Sequence, residues 1–254
     1  CNTIPLDNGV YGLKPLSHVC PLNTTPITLR VCVPRLFSWH DLGQPVSGVE
    51  SVRVATMENP LRLAVFISGS GSGMQALLRH QESKRCPHET TLVVSNIANV
   101  SGLDKAKAHN VNTVTIELDQ SIKDHTQRRE AHERAIMTVL EEHGIEAVIL
   151  SGYMRILSPL FVRAWQGRLL NIHPSLLPKY PGAHAHRDAL ADGATVTGCT
   201  VHLVDEGVDS GPILAQRELE VLPDDDEDSL SERVKALEHK LYPEVIDAFA
   251  AGHY

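Results

Sequence analysis

An asparagine and a histidine two residues apart, at the end of an apolar run, are the residues in this chain best placed to do chemistry. The run is Leu169-Leu170-Asn171-Ile172-His173, and Pro174-Ser175-Leu176-Leu177-Pro178 follows it. Leucine and isoleucine at that density read as a buried strand. The two prolines forbid a helix or a continuing central strand, so a rigid loop begins after His173. Side chains two apart on a strand share a face, which points an amide and an imidazole into one space. Open α/β sheets keep their ligands at such strand ends. An amide N–H can donate to a developing oxyanion, and an imidazole can donate or relay a proton. The plainer reading is that both side chains satisfy loop carbonyls, and these residues alone do not decide between the two.

Two further stretches could complete a site. Ser68-Gly69-Ser70-Gly71-Ser72-Gly73 follows the apolar run Leu61–Ile67 and precedes Met74-Gln75-Ala76-Leu77-Leu78. Strand, glycine loop and helix form the geometry that cradles a phosphate, because glycine lets the backbone approach and the helix N-terminus offers free N–H groups. No Lys-Ser/Thr pair follows, so this is not a Walker loop, and Met74 breaks the dinucleotide fingerprint. A tight turn alone would also explain it. In Asp205-Glu206-Gly207-Val208-Asp209-Ser210-Gly211-Pro212 the acidic residues are either turn formers or, at Asp209, a carboxylate that reaches back to His173. His184-Ala185-His186 reads as a loop pair that could ligate zinc, but no third ligand lies near, and no metal site is expected.

The elements that must position these residues alternate along the chain. Strands are expected at 61–67, 90–95, 112–118 and 146–150. Helices are expected from Met74, over 102–109 and over 128–143. That βαβ alternation predicts a doubly wound, mostly parallel α/β sheet with helices on both faces. Ser158-Pro159 is a helix start. Segments 197–204 and 213–221 are joined by a short connection and should pair antiparallel near the C-terminal end. A final helix carries Leu230, Val234, Leu237, Leu241 and Val245 on one face and is expected to bend at Pro243, with the acidic run 224–228 at its start.

Composition narrows the class. A net charge of −8 argues against non-specific binding of nucleic acid or anionic membrane, and 4% aromatics leaves little for base stacking. Five scattered cysteines without a CxxC pair fit a reducing compartment. Residues 1–56 hold six prolines and no periodicity, which suggests a disordered or non-native extension before a domain at 57–254, with Met57 as a natural start.

Taken together, these segments resemble glycinamide ribonucleotide formyltransferase, a folate-dependent family, over about residues 61–250. The matching motifs are Ile67-Ser68-Gly69-Ser70-Gly71-Ser72, Gly152-Tyr153-Met154-Arg155-Ile156-Leu157-Ser158-Pro159, Asn171–Lys179, Gly198–His202, Val208–Pro212 and Glu238–Pro243. The resemblance implies that Asn171, His173 and Asp209 are catalytic. Thr200, His202 and His184 would support them. It puts the nucleotide substrate on Ser70, Gly71, Ser72, Gly73 and Glu238, the last on the ribose. Folate would lie against Met154, Arg155, Ile156 and Leu157 and against Asp205, Glu206, Gly207 and Val208. Residues 61–160 would form the nucleotide-binding half and 161–254 the catalytic and folate-binding half.

The partners implied are glycinamide ribonucleotide and 10-formyltetrahydrofolate, the latter a co-substrate and not a tightly bound cofactor. A cytoplasmic monomer or homodimer, with no nucleic acid and no membrane, is the expected setting. Gly73 departs from the family, whose members usually have asparagine there. Related readings remain: a formyltransferase acting on another amine should carry a further C-terminal domain, and a 10-formyltetrahydrofolate hydrolase an N-terminal βαβ domain. From another class, a dinucleotide oxidoreductase should end its second strand on an acidic residue, where this chain has Val94-Ser95-Asn96. A non-catalytic nucleotide-binding protein would need the glycine loop but not the three polar residues.

Overall fold

Seven strands form one sheet in the order β3-β2-β1-β4-β5-β6-β7. They are β1 (Leu61–Ile67), β2 (His88–Ser95), β3 (Asn112–Thr115), β4 (Ala147–Leu150), β5 (Leu169–His173), β6 (Val196–Leu203) and β7 (Ile213–Glu220). This computed structural model describes residues 53–254. Strands β1 to β5 run parallel, β6 pairs antiparallel with β5, and β7 antiparallel with β6. The doubly wound sheet with an antiparallel C-terminal edge is therefore as the sequence implies. The chain builds outward from β1 to β3, then returns to β4 on the other side. That reversal opens a crevice beyond the carboxyl ends of β1 and β4.

Helices cover both faces because the central strands are apolar on both. On β1, Leu63, Val65 and Ile67 face one core, shared with α1 (Ser72–Ser83), α2 (Ser101–Ala108) and α6 (Glu227–Ala250). Ala64 and Phe66 face the other, shared with α3 (His125–Glu142) and α4 (Pro159–Ala164). A short α5 (Ala185–Ala191) lies between β5 and β6. Among the described residues no helix is long and apolar enough to cross a membrane.

Caps explain several boundaries. Asp224–Asp228 is the start of α6, where Asp226 and Ser229 form a reciprocal capping box. Ser158 caps α4 with Pro159 at its first turn. Helix α3 begins three residues before the expected Arg128, because the Asp124 carboxylate accepts from the Gln127 N–H. Helix α6 continues through Pro243 as one element. Strand β3 stops at Thr115, short of the expected Leu118.

The N-terminal edge of the domain lies earlier than Met57. Ala55 is buried and its N–H donates to the Ala250 carbonyl at 2.9 Å. Arg53 pairs with Glu146, Nη2 to Oε2 at 2.8 Å, and also reaches the carbonyls of Asn59 and Pro60. Glu146 in turn accepts from the Arg62 N–H at 3.0 Å. Burial works against the Glu146 charge, but the Arg53 and Arg62 contacts outweigh it and hold its carboxyl below the ordinary value. The rest of the expected extension, residues 1–52, lies outside the described residues. A chain starting at Met57 loses the Ala55 backbone hydrogen bond to Ala250, the exposed Thr56 backbone hydrogen bond to Asn59, one buried methyl and an ion pair about one-third exposed. Together these come to about 1–2 kcal/mol. Its melting temperature should fall roughly 2–8 °C below that of a chain starting at Arg53. Equal melting temperatures would show that the docked residues contribute nothing.

Candidate active site

Asn171 and His173 stand on the carboxyl half of β5, as their spacing implies, and the antiparallel register sets Asn171 opposite His202 and His173 opposite Thr200. Buried Thr200 fixes the loop beyond β5. Its hydroxyl donates to the Ser175 carbonyl at 2.6 Å and accepts from the Leu177 N–H at 3.0 Å. Gln216 on β7 donates to the same hydroxyl and to the Leu177 carbonyl. Leu177-Pro178 is a cis peptide within this loop.

Asp209 comes to the same place from the β6–β7 connection. Its Oδ2 lies 3.4 Å from His173 Nδ1, and its Oδ1 lies 3.6 Å from His202 Nε2. The Gly182 N–H donates to Oδ2 at 2.8 Å and orients the carboxylate. Asp209 has φ of 50°, a left-handed backbone uncommon outside glycine, and such strain concentrates at working sites.

The two imidazoles do different jobs. His202 is buried, and burial pushes its pKa down, so it is neutral near pH 7. Its Nδ1–H donates to the Leu203 carbonyl at 2.9 Å, which makes Nε2 an acceptor. The Asn171 Nδ2 donates to that Nε2 at 3.2 Å, so the amide orientation is set by its neighbour. Buried His173 donates Nε2–H to the Tyr180 carbonyl at 2.8 Å. Its Nδ1 is thus the nitrogen turned toward Asp209.

The glycine loop carries Gly71 at φ 61° as the N-cap of α1, with no side chain capping the first turn. Two residues that short-range pattern could not reveal meet this loop. Lys105 on α2 donates to the Ser70 carbonyl at 2.9 Å, and His239 Nε2 lies 3.3 Å from the Ser72 hydroxyl. Gly102 allows the approach, since a Cβ there would sit 2.7 Å from the Gly69 carbonyl oxygen. Gly73 is not left-handed, but a Cβ added there would lie 2.6 Å from Ser151 Oγ. The Ser151 hydroxyl thus stands where a larger residue at 73 would go. Glu238 on α6 is half-buried and, among the described residues, has no hydrogen-bond partner. Burial pushes its carboxyl up to about 7, only partly offset by Lys235.

The 154–157 and 205–208 segments form an exposed rim. Met154, Ile156 and Val208 are 79%, 74% and 62% exposed, large apolar side chains presented to solvent. Arg163 on α4 ties the 205–208 segment to that helix by pairing with Glu206 at 2.6 Å. Asp205 accepts from the Gly207 N–H and the Ser210 hydroxyl, so its side chain holds its own turn. In these two residues the side chains are committed to structure. A pocket of about 440 Å³ opens beside Arg155 and is lined also by His125, Arg128 and Arg129.

His184 follows two residues after Gly182, whose N–H meets Asp209. It is exposed at the N-cap of α5 without a side-chain cap bond, and His186 lies in the first turn of that helix, not in a loop.

A family model described as formyl transferase matches residues 61–246. Phosphoribosylglycinamide formyltransferase of Escherichia coli K12 is 41% identical over 192 residues, covering 76% of this chain and 88% of that protein. The human trifunctional purine biosynthetic protein adenosine-3 is 47% identical over 191 residues, but the chain spans only 18% of that protein's length. In structure, phosphoribosylglycinamide formyltransferase of Brucella melitensis has a TM-score of 0.70 at 44% identity. That match covers 76% of this chain and 97% of its own. Glycinamide ribonucleotide transformylase 1 of Symbiobacterium toebii gives 0.71 at 40%, covering 76% and 89%. With the family match spanning all seven strands and the cleft residues, the chain belongs to the formyl transferase family.

Proposed function

We propose that this protein transfers the formyl group of 10-formyltetrahydrofolate to the primary amine of glycinamide ribonucleotide, a step of purine biosynthesis. The observation that carries the reading is the convergence of Asn171, His173 and Asp209 at the carboxyl end of β5, with Asp209 Oδ2 3.4 Å from His173 Nδ1. The amine lone pair attacks the formyl carbon, and the carbonyl π pair moves onto oxygen. The Asn171 amide and a His173 proton on Nδ1 stabilise that oxyanion. Asp209, held by the Gly182 N–H, holds the imidazolium and helps carry the amine's proton, through water, toward the folate nitrogen. As the oxyanion collapses, the bond from carbon to that nitrogen breaks.

The uncapped start of α1, with Lys105 behind it, suits the nucleotide's phosphate. Backbone groups of 154–157 and 205–208 suit the pterin. The basic pocket at Arg155 and Arg129 suits the folate's glutamate carboxylates. Incubation with both substrates should give formylated nucleotide and tetrahydrofolate in equal amounts. Release of free formate in place of a formylated amine would overturn the reading in favour of a hydrolase.

Glu238 provides a pH test of the ribose assignment. Sugar hydroxyls donate best to an ionised carboxylate. Because this carboxyl titrates near 7, the Michaelis constant for the nucleotide should rise as pH falls through that value and level off above it. Glu238→Gln should raise the constant and remove this limb. Comparing the two enzymes at each pH cancels the phosphate's own titration near about 6. Parallel profiles would place Glu238 off the ribose.

A further inference from the structure

Four side chains with metal-binding atoms meet at the other end of the sheet, beyond the amino ends of β1 and β2. His80 lies in the last turn of α1, Cys86 in the connection after it, His88 opens β2, and Asp247 comes from α6. One ligand atom from each lies within 4.8 Å of the others. Asp247 is the hub, with Oδ2 2.8 Å from His80 Nε2 and Oδ1 2.9 Å from His88 Nε2. Lys84 Nζ shares Oδ2 at 2.8 Å. Cys86 is buried, and its thiol makes only a weak bond to the Lys84 carbonyl at 3.6 Å. The formyl-transfer site uses none of these residues.

We propose that His80, Cys86, His88 and Asp247 bind a transition-metal dication of the zinc class as a four-ligand structural site. Two imidazoles, one thiolate and one carboxylate form a donor set that suits zinc. Tetrahedral bonds of about 2.0–2.3 Å place ligand atoms roughly 3.3–3.8 Å apart, so the widest pairs must close by up to about an ångström, while the Asp247 contacts to the two imidazoles, now 2.8 and 2.9 Å, must open by about half an ångström. With Cys86 and Asp247 as anions the occupied site is neutral, which a buried position favours over a charged one.

The proton changes are explicit. The Cys86 thiol loses its proton to solvent on ligation. Burial, with Asp247 beside it, pushes that thiol up to about 11, so the metal must displace a firmly held proton. His80 and His88 must each present a bare Nε2 and carry the ring proton on Nδ1. Gln81 Nε2 now lies 2.7 Å from His88 Nδ1, so its amide turns over to accept instead. Gln81 thereby becomes the outer partner that fixes the ligating tautomer. Lys84, half-exposed, leaves Oδ2 and swings into solvent beside Glu244. A bound ion ties the late turns of α6 to α1 and β2, and in its absence the same groups form a hydrogen-bonded ion-pair cluster.

Cobalt(II) titration of the full chain tests this, because a tetrahedral site with a thiolate shows visible d–d bands and a near-ultraviolet sulfur-to-cobalt band. One equivalent should bind, with zinc displacing it. Cys86→Ser should abolish the sulfur band, and His88→Ala should abolish stoichiometric binding. Gln81→Ala should weaken affinity by about 10–100-fold, the usual effect of losing an outer partner. Exposed His253→Ala should leave binding unchanged. Lys84→Ala separates the metal site from a mere ion-pair clamp and does not threaten folding. It should tighten cobalt binding by removing a competing cation. Absence of stoichiometric cobalt binding by the folded wild-type and Lys84→Ala proteins would overturn the proposal. So would binding that persists in Cys86→Ser with its ultraviolet band intact.

Discussion

Asp209→Asn should lower the turnover number by about 10²–10⁴-fold, the range expected for loss of an acid–base partner. The substitution keeps the side chain's shape and its Gly182 N–H contact on the remaining oxygen, and removes the negative charge 3.4 Å from His173 Nδ1. Because His173 Nε2–H is committed to the Tyr180 carbonyl, Nδ1 is the nitrogen left for the chemistry. An asparagine there offers the imidazolium no counter-charge as the oxyanion forms. Both Michaelis constants should change little, since the glycine loop and the rim are untouched. His173→Asn should be similarly damaging, and the double variant much less than additive, since the two side chains act as one unit. Near-normal turnover by a folded Asp209→Asn protein would sink the catalytic assignment and leave Asp209 as a turn residue with a left-handed backbone.

The second large effect is expected at Asn171. Asn171→Ala should reduce turnover by about 10²–10³-fold, the cost of one oxyanion donor. The amide has two N–H bonds, and His202 Nε2 accepts one of them. Among the described residues nothing takes the other, which leaves it for the substrate's carbonyl oxygen in an orientation fixed by a neutral imidazole. His202→Phe should therefore reduce turnover as well, though less, because it leaves the donor present and only its orientation loose. If Asn171→Ala raises a Michaelis constant and spares turnover, the amide binds ground-state substrate and does not stabilise the intermediate.

Much of this arrangement is legible in the sequence, for local reasons. Apolar density at 61–67 and 169–173, glycine at 69, 71 and 73, and the caps at Ser158 and Asp226 each act within a few residues of themselves. The same holds for the pairing of β6 with β7, fixed by a short connection. Boundaries shifted where a side chain out of the apolar pattern decided them, as Asp124 does for α3. Contacts made only by folding were not legible. Lys105 and His239 reach the glycine loop from separate helices, and Arg53 finds Glu146 across 93 residues. The commitment of Asp205 and Glu206 to turn and ion pair is likewise invisible in their type.

The β5–β6 ladder has a consequence for errors in folding. Its register pairs Asn171 with His202 and His173 with Thr200, with Ile172 and Val201 paired between them. A slip of one residue turns every side chain of the displaced strand to the opposite face. Histidine and threonine would then enter the apolar layer, and Val201 would line the cleft. Such a mispaired sheet exposes apolar surface and buries unpartnered polar groups, so it cannot persist beside the correct one. The requirement that the sheet be stable thus acts as a proofreader of the cleft, rejecting frame errors before substrate is ever met.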